Sequence, residues 1–349
     1  MKKKIDIRQL SLEQLTDEIV KLGEKPYRAK QVHQWLWKKR AIDFDQMTNL
    51  SKSFRKLIEN NFIINALVLS EAQISSDKTI KNAFLLADNS VIEGVLIPTK
   101  KRMTACVSVQ VGCSLDCAFC ATGMLKRIRN LNADEIYDQV VMINDQSQKE
   151  YSIPISNIVY MGMGEPLLNY KNVLLSVDKI TSEDGLGMSA KRITISTAGI
   201  HKKIIRLADD KVKFNLALSL HAANDEKRNK IMPINESNSL NSLKQAMIYF
   251  SEMTGTRPTL EYIIFKDFND EISDAEELVQ FAKSFPSKIN IIEYNSIDEG
   301  KYQQATVKKV DAFASYLESK NLIVNIRRSR GKDIDAACGQ LANKNELAR

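Results

Sequence analysis

Short apolar runs alternate with amphipathic segments over most of the chain, from about residue 98 to residue 330. The apolar runs are rich in Val, Ile and Leu, and the segments between them place apolar residues at helical spacing. The predicted strands are T-A-C-V-S-V-Q, N-I-V-Y-M, R-I-T-I-S, V-K-F-N-L-A-L-S-L, T-L-E-Y-I-I-F, K-I-N-I-I-E-Y-N and L-I-V-N-I-R, and the predicted helices span about 133–147, 170–181, 200–208, 225–231, 240–253, 273–283 and 306–319. Repeated βα units imply parallel strands joined by right-handed crossovers. About six such units predict an α/β fold, a partial (βα)6 barrel over residues 98–332.

Three further regions flank the predicted barrel. Residues 1–66 have helical periodicity and predict a small N-terminal helical domain, with Gly23 ending one helix and Pro26 opening the next. Residues 67–97 contain two strand-like runs around a D-N-S turn, which predict a hairpin-like connector. Residues 333–349 form a C-terminal segment after the last strand.

Charge and composition narrow the class of protein. The chain has 50 Lys and Arg against 43 Asp and Glu, a net charge of +7, which permits nucleic-acid binding without establishing it. The basic residues of the N-terminal helices fit either a phosphate-binding face or an ordinary solvated face. No stretch approaches the roughly 20 apolar residues of a membrane span, and the basic start is followed by no apolar run. Five cysteines, three of them clustered, argue for a reducing compartment, so we expect a cytoplasmic protein that makes no membrane contact.

The cluster of cysteines is the strongest chemical signal. Cys113, Cys117 and Cys120 form a C-x-x-x-C-x-x-C pattern with Phe119 before the third cysteine. Three thiolates so close together suit a soft metal or an iron–sulfur cluster. A closed structural site takes four ligands, whereas a site that does chemistry keeps one position open. Zinc with a remote fourth ligand and simple burial of the thiols remain alternatives at this point.

Small or polar residues follow the predicted strands where each apolar run stops. In a barrel of parallel strands these positions meet at one end, where functional residues gather. Taken singly, each is more often part of a loop than a ligand, but together they predict a cavity for a polar small molecule. The candidates are Gly164, Glu165, Ser196, Thr197, Ser219, Leu220, His221 and Asn295.

Two cysteines and one glutamate complete the candidates. Cys106 lies on the first predicted barrel strand, where a lone cysteine is usually an inert apolar residue. Cys338 lies in the C-terminal segment between small residues, where a thiol able to reach the barrel mouth could carry a group covalently. Glu93 lies in a predicted strand among apolar residues, and such a residue usually faces solvent.

Several long motifs together resemble one known family. They are V-S-V-Q-V-G-C-S-L-D-C-A-F-C-A-T-G, M-G-M-G-E-P-L-L-N, R-I-T-I-S-T-A-G-I, L-A-L-S-L-H-A-A-N-D-E-K-R, I-M-P-I-N and R-R-S-R-G-K-D-I-D-A-A-C-G-Q-L. The chain resembles the RlmN/Cfr family of radical S-adenosylmethionine (SAM) RNA adenosine methyltransferases over nearly its whole length. Pro166 after Glu165, and R-R-S-R-G, are more similar to the RlmN, or carbon-2, branch than to the Cfr, or carbon-8, branch.

The resemblance implies a role for each candidate. Cys113, Cys117 and Cys120 would hold a 4Fe-4S cluster. Cys338 would take a methyl group from one SAM, and a second SAM would activate that methyl group, so that two are used per turnover. Cys106 would release the product by forming a disulfide with Cys338. Glu93 would be a proton acceptor, and the contacts to SAM would come from Gly164, Glu165, Ser196, Ser219, Leu220, His221 and Asn295.

The resemblance also implies partners. The substrates would be adenosines of 23S rRNA and of certain tRNAs, and a flavodoxin-like or ferredoxin-like protein would donate electrons to a monomeric enzyme. The helical domain, Lys126–Arg129 and Arg327–Arg330 would then contact phosphates. From another functional class, a zinc-stabilised RNA-binding protein without catalysis is the alternative.

Overall fold

A small helical domain opens the chain, as the periodicity predicts. The computed structural model describes residues 4–100, 102–298 and 300–343. Ser11 starts the first helix with a capping box, in which its hydroxyl accepts from the Gln14 N–H and the Gln14 side chain accepts from the Ser11 N–H. The elements of this domain are β1 (Ile5–Asp6), α1 (Leu12–Lys21), α2 (Tyr27–Trp37), α3 (Lys52–Asn61) and β2 (Phe62–Ile63), with β1 and β2 paired in parallel.

Buried polar contacts fix this domain to the barrel. Arg8 donates to both carboxylate oxygens of Asp138 at 2.7 and 2.9 Å, and it lies 3.3 Å from Asp134. The Tyr137 hydroxyl donates to the Trp37 carbonyl at 2.8 Å. Because a buried guanidinium needs carboxylate partners, Arg8 ties the start of the chain firmly to the barrel.

The region predicted as a hairpin-like connector forms three antiparallel strands, β3 (Val68–Ile74), β4 (Ile80–Leu85) and β5 (Val91–Pro98). The predicted D-N-S turn lies between β4 and β5, and β3 adds a further strand. Strand β5 pairs antiparallel with β6 (Met103–Cys106), so these strands extend the sheet of the barrel itself. We call β3, β4 and β5 the antiparallel extension.

The rest of the chain alternates strand and helix as the apolar pattern predicts. Strands β6 and β9 to β14 pair in parallel, in the order in which they occur along the chain. Within the described residues they form a partial barrel of six βα units and a closing strand, which confirms the predicted fold. The elements that follow β6 are β7 (Gln110–Val111), β8 (Arg129–Asn130), α4 (Ala133–Tyr151), β9 (Asn157–Tyr160), α5 (Tyr170–Thr181), β10 (Ile193–Thr197), α6 (His201–Asp209), β11 (Asn215–Ser219), α7 (Asp225–Ile231), α8 (Leu240–Thr254), β12 (Thr259–Ile264), α9 (Ile272–Ala282), β13 (Lys288–Glu293), α10 (Val307–Ser319) and β14 (Val324–Arg327).

The core lies between the barrel strands and the helices that cover them. Ile195, Leu216, Leu218, Leu260 and Ile291 are fully buried in it. Across the described residues, no helix combines the length and the apolar character needed to span a membrane. This packing leaves the carboxyl ends of the parallel strands as the place where side chains can line a cavity.

Candidate active site

One cavity lies at the carboxyl ends of the barrel strands, where polar residues were predicted to gather. Residues from the cysteine loop, from six barrel strands and from the C-terminal segment line it together. The lining includes Cys113, Cys117, Cys120, Gly164, Glu165, Ser196, Ser219, His221, Glu261, Arg327 and Cys338.

The three clustered cysteines lie on a loop held by backbone hydrogen bonds. The Ala118 N–H donates to the Ile231 carbonyl at 3.0 Å, and the Cys113 N–H donates to the Leu125 carbonyl at 3.2 Å. Burial raises the pKa of Cys113 to about 11 and also raises the pKa of Cys117 and Cys120. Free thiols here therefore stay protonated, and a metal that binds them must displace their protons.

The donors that face the cavity are three thiols. Cys113, Cys117 and Cys120 all belong to its lining. Three cysteine thiolates are the ligand type that holds an iron–sulfur cluster. The donor set therefore suits a cluster that keeps one iron open to another ligand.

Gly164 and Glu165 follow β9 and form one wall of the cavity. Gly164 has φ +94°, and a Cβ atom there would lie 2.4 Å from Cβ of Gln110, so only glycine fits. The Glu165 carboxylate accepts hydrogen bonds from the Thr197 hydroxyl, the Ala198 N–H and the Leu167 N–H at 2.7 to 2.9 Å. Burial nevertheless raises the pKa of Glu165. Donors on three sides fix this carboxylate at the cavity wall, where it can face a cation.

Ser196 and Ser219 meet because β10 and β11 are adjacent parallel strands. Their hydroxyl oxygens lie 3.3 Å apart. His221 follows β11 with φ +56°, and its Nδ1 accepts a hydrogen bond from the Ile263 N–H at 3.1 Å. Burial and the nearby Arg228 lower the pKa of His221 to about 3, so the ring is neutral near pH 7. The ring also packs edge-on against Phe119 of the cysteine loop, with centroids 4.7 Å apart.

Arg228 is a residue of this site that the sequence analysis did not single out. Its side chain is fully buried and donates to the carbonyls of Ala198, Ser219 and Leu220 and to Oδ1 of Asn235, at 2.6 to 3.1 Å. Burial lowers its pKa to about 10, so it remains charged near pH 7. It occurs in the run N-D-E-K-R-N-K, which looks like a solvated helix, and only its place in the quoted motif could have drawn attention to it.

Two predicted cofactor contacts lie outside the cavity lining. Leu220 has a fully buried side chain, and its N–H donates to the Glu261 carbonyl at 3.0 Å. Asn295 is also buried, and its Nδ2 donates to the Cys338 carbonyl at 3.2 Å. Within the described residues, Oδ1 of Asn295 is buried without a hydrogen-bond partner. Asn295 therefore bonds directly to the C-terminal segment and keeps one acceptor free.

Cys338 and Cys106 approach the cavity from different elements. Cys338 is exposed and belongs to the cavity lining, whereas Cys106 is buried at the end of β6. Burial and the nearby Cys338 raise the pKa of Cys106 to about 12, and Arg327 acts in the opposite direction. The two thiols are thus close enough to interact, and Arg327 is the cation that faces them.

Arg327 and Glu261 form a polar pair beside these thiols. The Arg327 guanidinium lies 3.3 Å from the Glu261 carboxylate, which also accepts from Asn290 Nδ2 at 2.8 Å. The sequence analysis grouped Arg327 with the phosphate-binding arginines, but the structure turns it into the cavity. Glu261 was missed, although a charged residue within T-L-E-Y-I-I-F was a visible signal.

Glu93 does not face solvent, contrary to the usual behaviour of such a strand residue. Its side chain is 1% exposed, and its Oε1 lies 3.6 Å from Nζ of Lys81. Its Oε2 accepts hydrogen bonds from the N–H groups of Ala342 and Asn343 at 2.9 and 3.1 Å. The correction has a long-range cause, because Ala342 and Asn343 of the C-terminal segment lie against β5 and bond this carboxylate.

The basic stretches predicted to bind phosphates differ in their surroundings. Lys126 and Arg127 are exposed on the loop after the cysteines, next to exposed Ile128. Arg328 instead pairs with Glu293 at 2.5 Å, and Arg330 pairs with Asp77 at 3.6 Å. The loop at residues 126–128 is therefore the freer cationic surface beside the cavity.

Comparisons with known proteins agree with this geometry. Residues 5–64 match the ribosomal RNA large subunit methyltransferase N-terminal domain, and residues 107–282 match the radical SAM superfamily. A probable dual-specificity RNA methyltransferase RlmN of Cytophaga hutchinsonii is 59% identical over 98% of this chain and 94% of that protein. A protein of the same name from Christiangramia forsetii is 56% identical over 98% and 97%.

A solved structure supports the same assignment. The crystal structure of a radical SAM methyltransferase from Sphaerobacter thermophilus superposes with a TM-score of 0.91 at 36% identity, covering 97% of this chain and 99% of that one. Identity at this level over the full length shows common ancestry as well as a common fold. The chain therefore belongs to the RlmN family within the radical SAM superfamily.

Proposed function

We propose that this protein methylates carbon 2 of adenosine in 23S rRNA and in certain tRNAs, through a methyl group carried on Cys338. The observation that carries the proposal is the position of Cys338. Its thiol belongs to the same cavity as the three clustered cysteines, and its charge would act on the buried thiol of Cys106. The relatives named dual-specificity RNA methyltransferase support RNA as the substrate.

The cavity residues divide into two sets by chemistry. Cys113, Cys117 and Cys120 would hold a 4Fe-4S cluster, and three thiolates leave one iron open for another ligand. When bound, the cluster supplies the single electron that activates SAM. The wall formed by Gly164, Glu165, Ser196, Ser219 and His221 would bind SAM, with the Glu165 carboxylate facing its ammonium group. Leu220 and Asn295 would complete this set through backbone and amide contacts.

The two remaining cysteines would act in sequence. The Cys338 sulfur would attack the methyl carbon of one SAM, displacing S-adenosylhomocysteine as the leaving group and giving up the thiol proton. A second SAM would then be used to remove one hydrogen atom from this methyl group, so that its carbon adds to carbon 2. The adduct would lose the carbon-2 proton and give one electron back to the cluster. The Cys106 thiolate would then attack the Cys338 sulfur, forming the S–S bond and breaking the S–CH2 bond; the electron pair would stay on the former methyl carbon, which takes up a proton, and cellular thiols would reduce the disulfide.

A carrier thiol explains how an unreactive position is methylated. Carbon 2 of adenine is electron-poor, so it cannot itself attack the methyl group of a sulfonium. A carbon-centred group held on the protein can add there instead, which requires a thiol that reaches the base. The base must also leave its stack to enter the cavity.

The proposed partners follow from the surface and the chemistry. Lys126 and Arg127 are exposed beside the cavity and are suited to contact RNA phosphates. A flavodoxin-like or ferredoxin-like protein would reduce the cluster. We propose a monomer that works in the cytoplasm, where ribosomal and transfer RNA occur.

Nucleoside analysis by mass spectrometry tests the proposal. In a strain lacking this gene, 2-methyladenosine should disappear from 23S rRNA and tRNA, and it should return with the wild-type gene. The two RNA pools are digested separately so that each substrate is tested. Persistence of 2-methyladenosine, or loss of 8-methyladenosine instead, would overturn the carbon-2 assignment.

A further inference from the structure

Glu93 is the point where the C-terminal segment is bound to the antiparallel extension. Its Oε2 accepts both the Ala342 N–H and the Asn343 N–H, while its Oε1 faces the ammonium group of Lys81. Asn343 also donates from Nδ2 to the Val91 carbonyl at 2.7 Å. Strand β5 thus holds two consecutive residues of the segment through three hydrogen bonds.

These bonds lie only four and five residues after Cys338. Between them and the thiol, the Thr122 hydroxyl donates to the Leu341 carbonyl at 2.6 Å, and the Ala121 N–H donates to the Gly339 carbonyl at 2.7 Å. The segment therefore runs from the cysteine loop to Glu93 with its carbonyls and N–H groups bonded in turn. Release at Glu93 would free the end of this short stretch.

We propose that Glu93 is a positioning residue that clamps the C-terminal segment and so holds Cys338 over the cavity. This inference rests on the proposed function, because holding Cys338 over the cavity matters for the reaction only if Cys338 carries the methyl group. A carboxylate suits this task, since an ionised acceptor forms the stronger kind of hydrogen bond with backbone N–H groups.

The contacts of Glu93 bear on its role as a proton acceptor, which the resemblance implies. In this structure two N–H groups and one ammonium group occupy the carboxylate. A substrate proton would have to displace at least one of them. The geometry thus favours holding the segment over taking up a proton while Cys338 lies at the cavity.

Two substitutions separate these roles in the full-length protein carrying its cluster. Glu93→Gln keeps an amide oxygen that can accept from both N–H groups, but it removes the negative charge that serves as a base and that faces the ammonium group of Lys81. Glu93→Ala removes the acceptor altogether. Glu71→Gln, on strand β3 of the same antiparallel extension, is the matched control, since Glu71 accepts a hydrogen bond from Gln73 rather than from the C-terminal segment.

Hydrogen–deuterium exchange of the peptide covering residues 339–343 is the first readout. Hydrogen bonds to a charged group stabilise a structure more than neutral ones do. The amide hydrogens of residues 339–343 in Glu93→Ala should therefore exchange about tenfold faster or more than in the wild type. Glu93→Gln should exchange at a rate between those of the wild type and Glu93→Ala, because a neutral acceptor retains part of that stabilisation. Equal exchange in the wild type and Glu93→Ala would overturn the clamp.

The second readout is methyl loading of Cys338 from SAM without RNA, followed by mass spectrometry. Glu93→Ala should load more slowly in step with its faster exchange. Loading at the wild-type rate in Glu93→Ala would overturn the clamp, and complete loss of RNA methylation in a fully loaded Glu93→Ala would assign the proton-acceptor role instead. Because exchange is read without any product, failure of the clamp is distinguishable from failure of the proposed function.

A paired variant guards against misfolding. Glu93→Ala leaves the Lys81 ammonium buried without its carboxylate, which destabilises the fold. The double variant Glu93→Ala/Lys81→Met removes both charges, and it should show the same loss of protection at residues 339–343. Restored protection in the double variant would mean that Lys81, and not the missing acceptor, caused the effect.

Discussion

Two parts of the molecule line the same cavity but are held in different ways. One is the cavity wall, formed by Gly164, Glu165, Ser196, Ser219 and His221, and the other is the C-terminal segment. The wall belongs to a parallel sheet, and fully buried Arg228 ties three of its carbonyls together. The segment instead reaches three separate elements through a few side chain–backbone bonds, at Glu93, Thr122 and Asn295. The hydrogen bonds between paired strands of a sheet open together and rarely, whereas isolated hydrogen bonds can open separately. The difference indicates a preorganised cavity wall and a C-terminal segment that can separate from it.

Substitution of Cys106 in the barrel or of Cys338 in the C-terminal segment should have the largest effect on RNA methylation. Cys106→Ala should leave RNA covalently attached to the protein, because nothing then attacks the Cys338 sulfur to release it. Cys338→Ala should abolish methylation and form no such adduct. Denaturing gels with labelled RNA check both results. Free methylated product from Cys106→Ala would contradict the proposed release step.

Arg228→Met tests whether the wall is preorganised. Removing the guanidinium leaves buried carbonyls without donors, which should lower the free energy of unfolding by at least about 3 kcal/mol. Arg192→Met is the control, since Arg192 is exposed. Thermal unfolding and SAM-binding titrations would check the expectation. A variant as stable as the control, with unchanged SAM affinity, would show that the wall does not depend on this residue.

Thr122→Val tests the weaker attachment of the segment. Valine has nearly the same shape as threonine but lacks the hydroxyl. The substitution leaves the Leu341 carbonyl without its donor, which should destabilise the attachment of the segment by about 1 to 2 kcal/mol. Amide exchange should rise at residues 339–343 and stay unchanged in the barrel strands. A rise across the whole barrel would instead mean that the segment and the wall unfold as one unit.

The smallest effect concerns the N-terminal helical domain. His33 lies 3.0 Å from Nζ of Lys179, and burial followed by that ammonium lowers the pKa of His33 to about 4 from 6.5. Between these values the unfolded chain binds more protons than the folded chain, so stability should fall as the pH falls from about 6.5 toward 4. Burial raises the pKa of Asp134 to about 7, which acts in the opposite direction.

The difference between the wild type and His33→Gln isolates the histidine. The unfolding midpoint of His33→Gln should fall less between pH 7 and pH 5, because glutamine does not titrate. Parallel curves for the two proteins would contradict a neutral, buried His33.

The barrel and the meeting of its strand ends could be predicted because they follow from local pattern. Ser196 and Ser219 end adjacent parallel strands, so their approach follows once the strands are recognised. The contacts of Glu93 could not be predicted, since they join residues 249 and 250 positions apart along the chain. The same limit hid Arg228, whose surroundings in sequence are polar although its surroundings in space are buried carbonyls. Long-range contacts of single side chains produce no periodic pattern in the sequence, so the pattern of apolar positions cannot predict them.

The most direct test follows the methyl group to its carrier. The reconstituted protein is incubated under reducing, anaerobic conditions with SAM bearing a trideuterated methyl group and no RNA, and its peptides are analysed by mass spectrometry. The account predicts one trideuterated methyl group on the sulfur of Cys338. A label on another cysteine, or an unlabelled Cys338 peptide in protein that binds SAM, would contradict it.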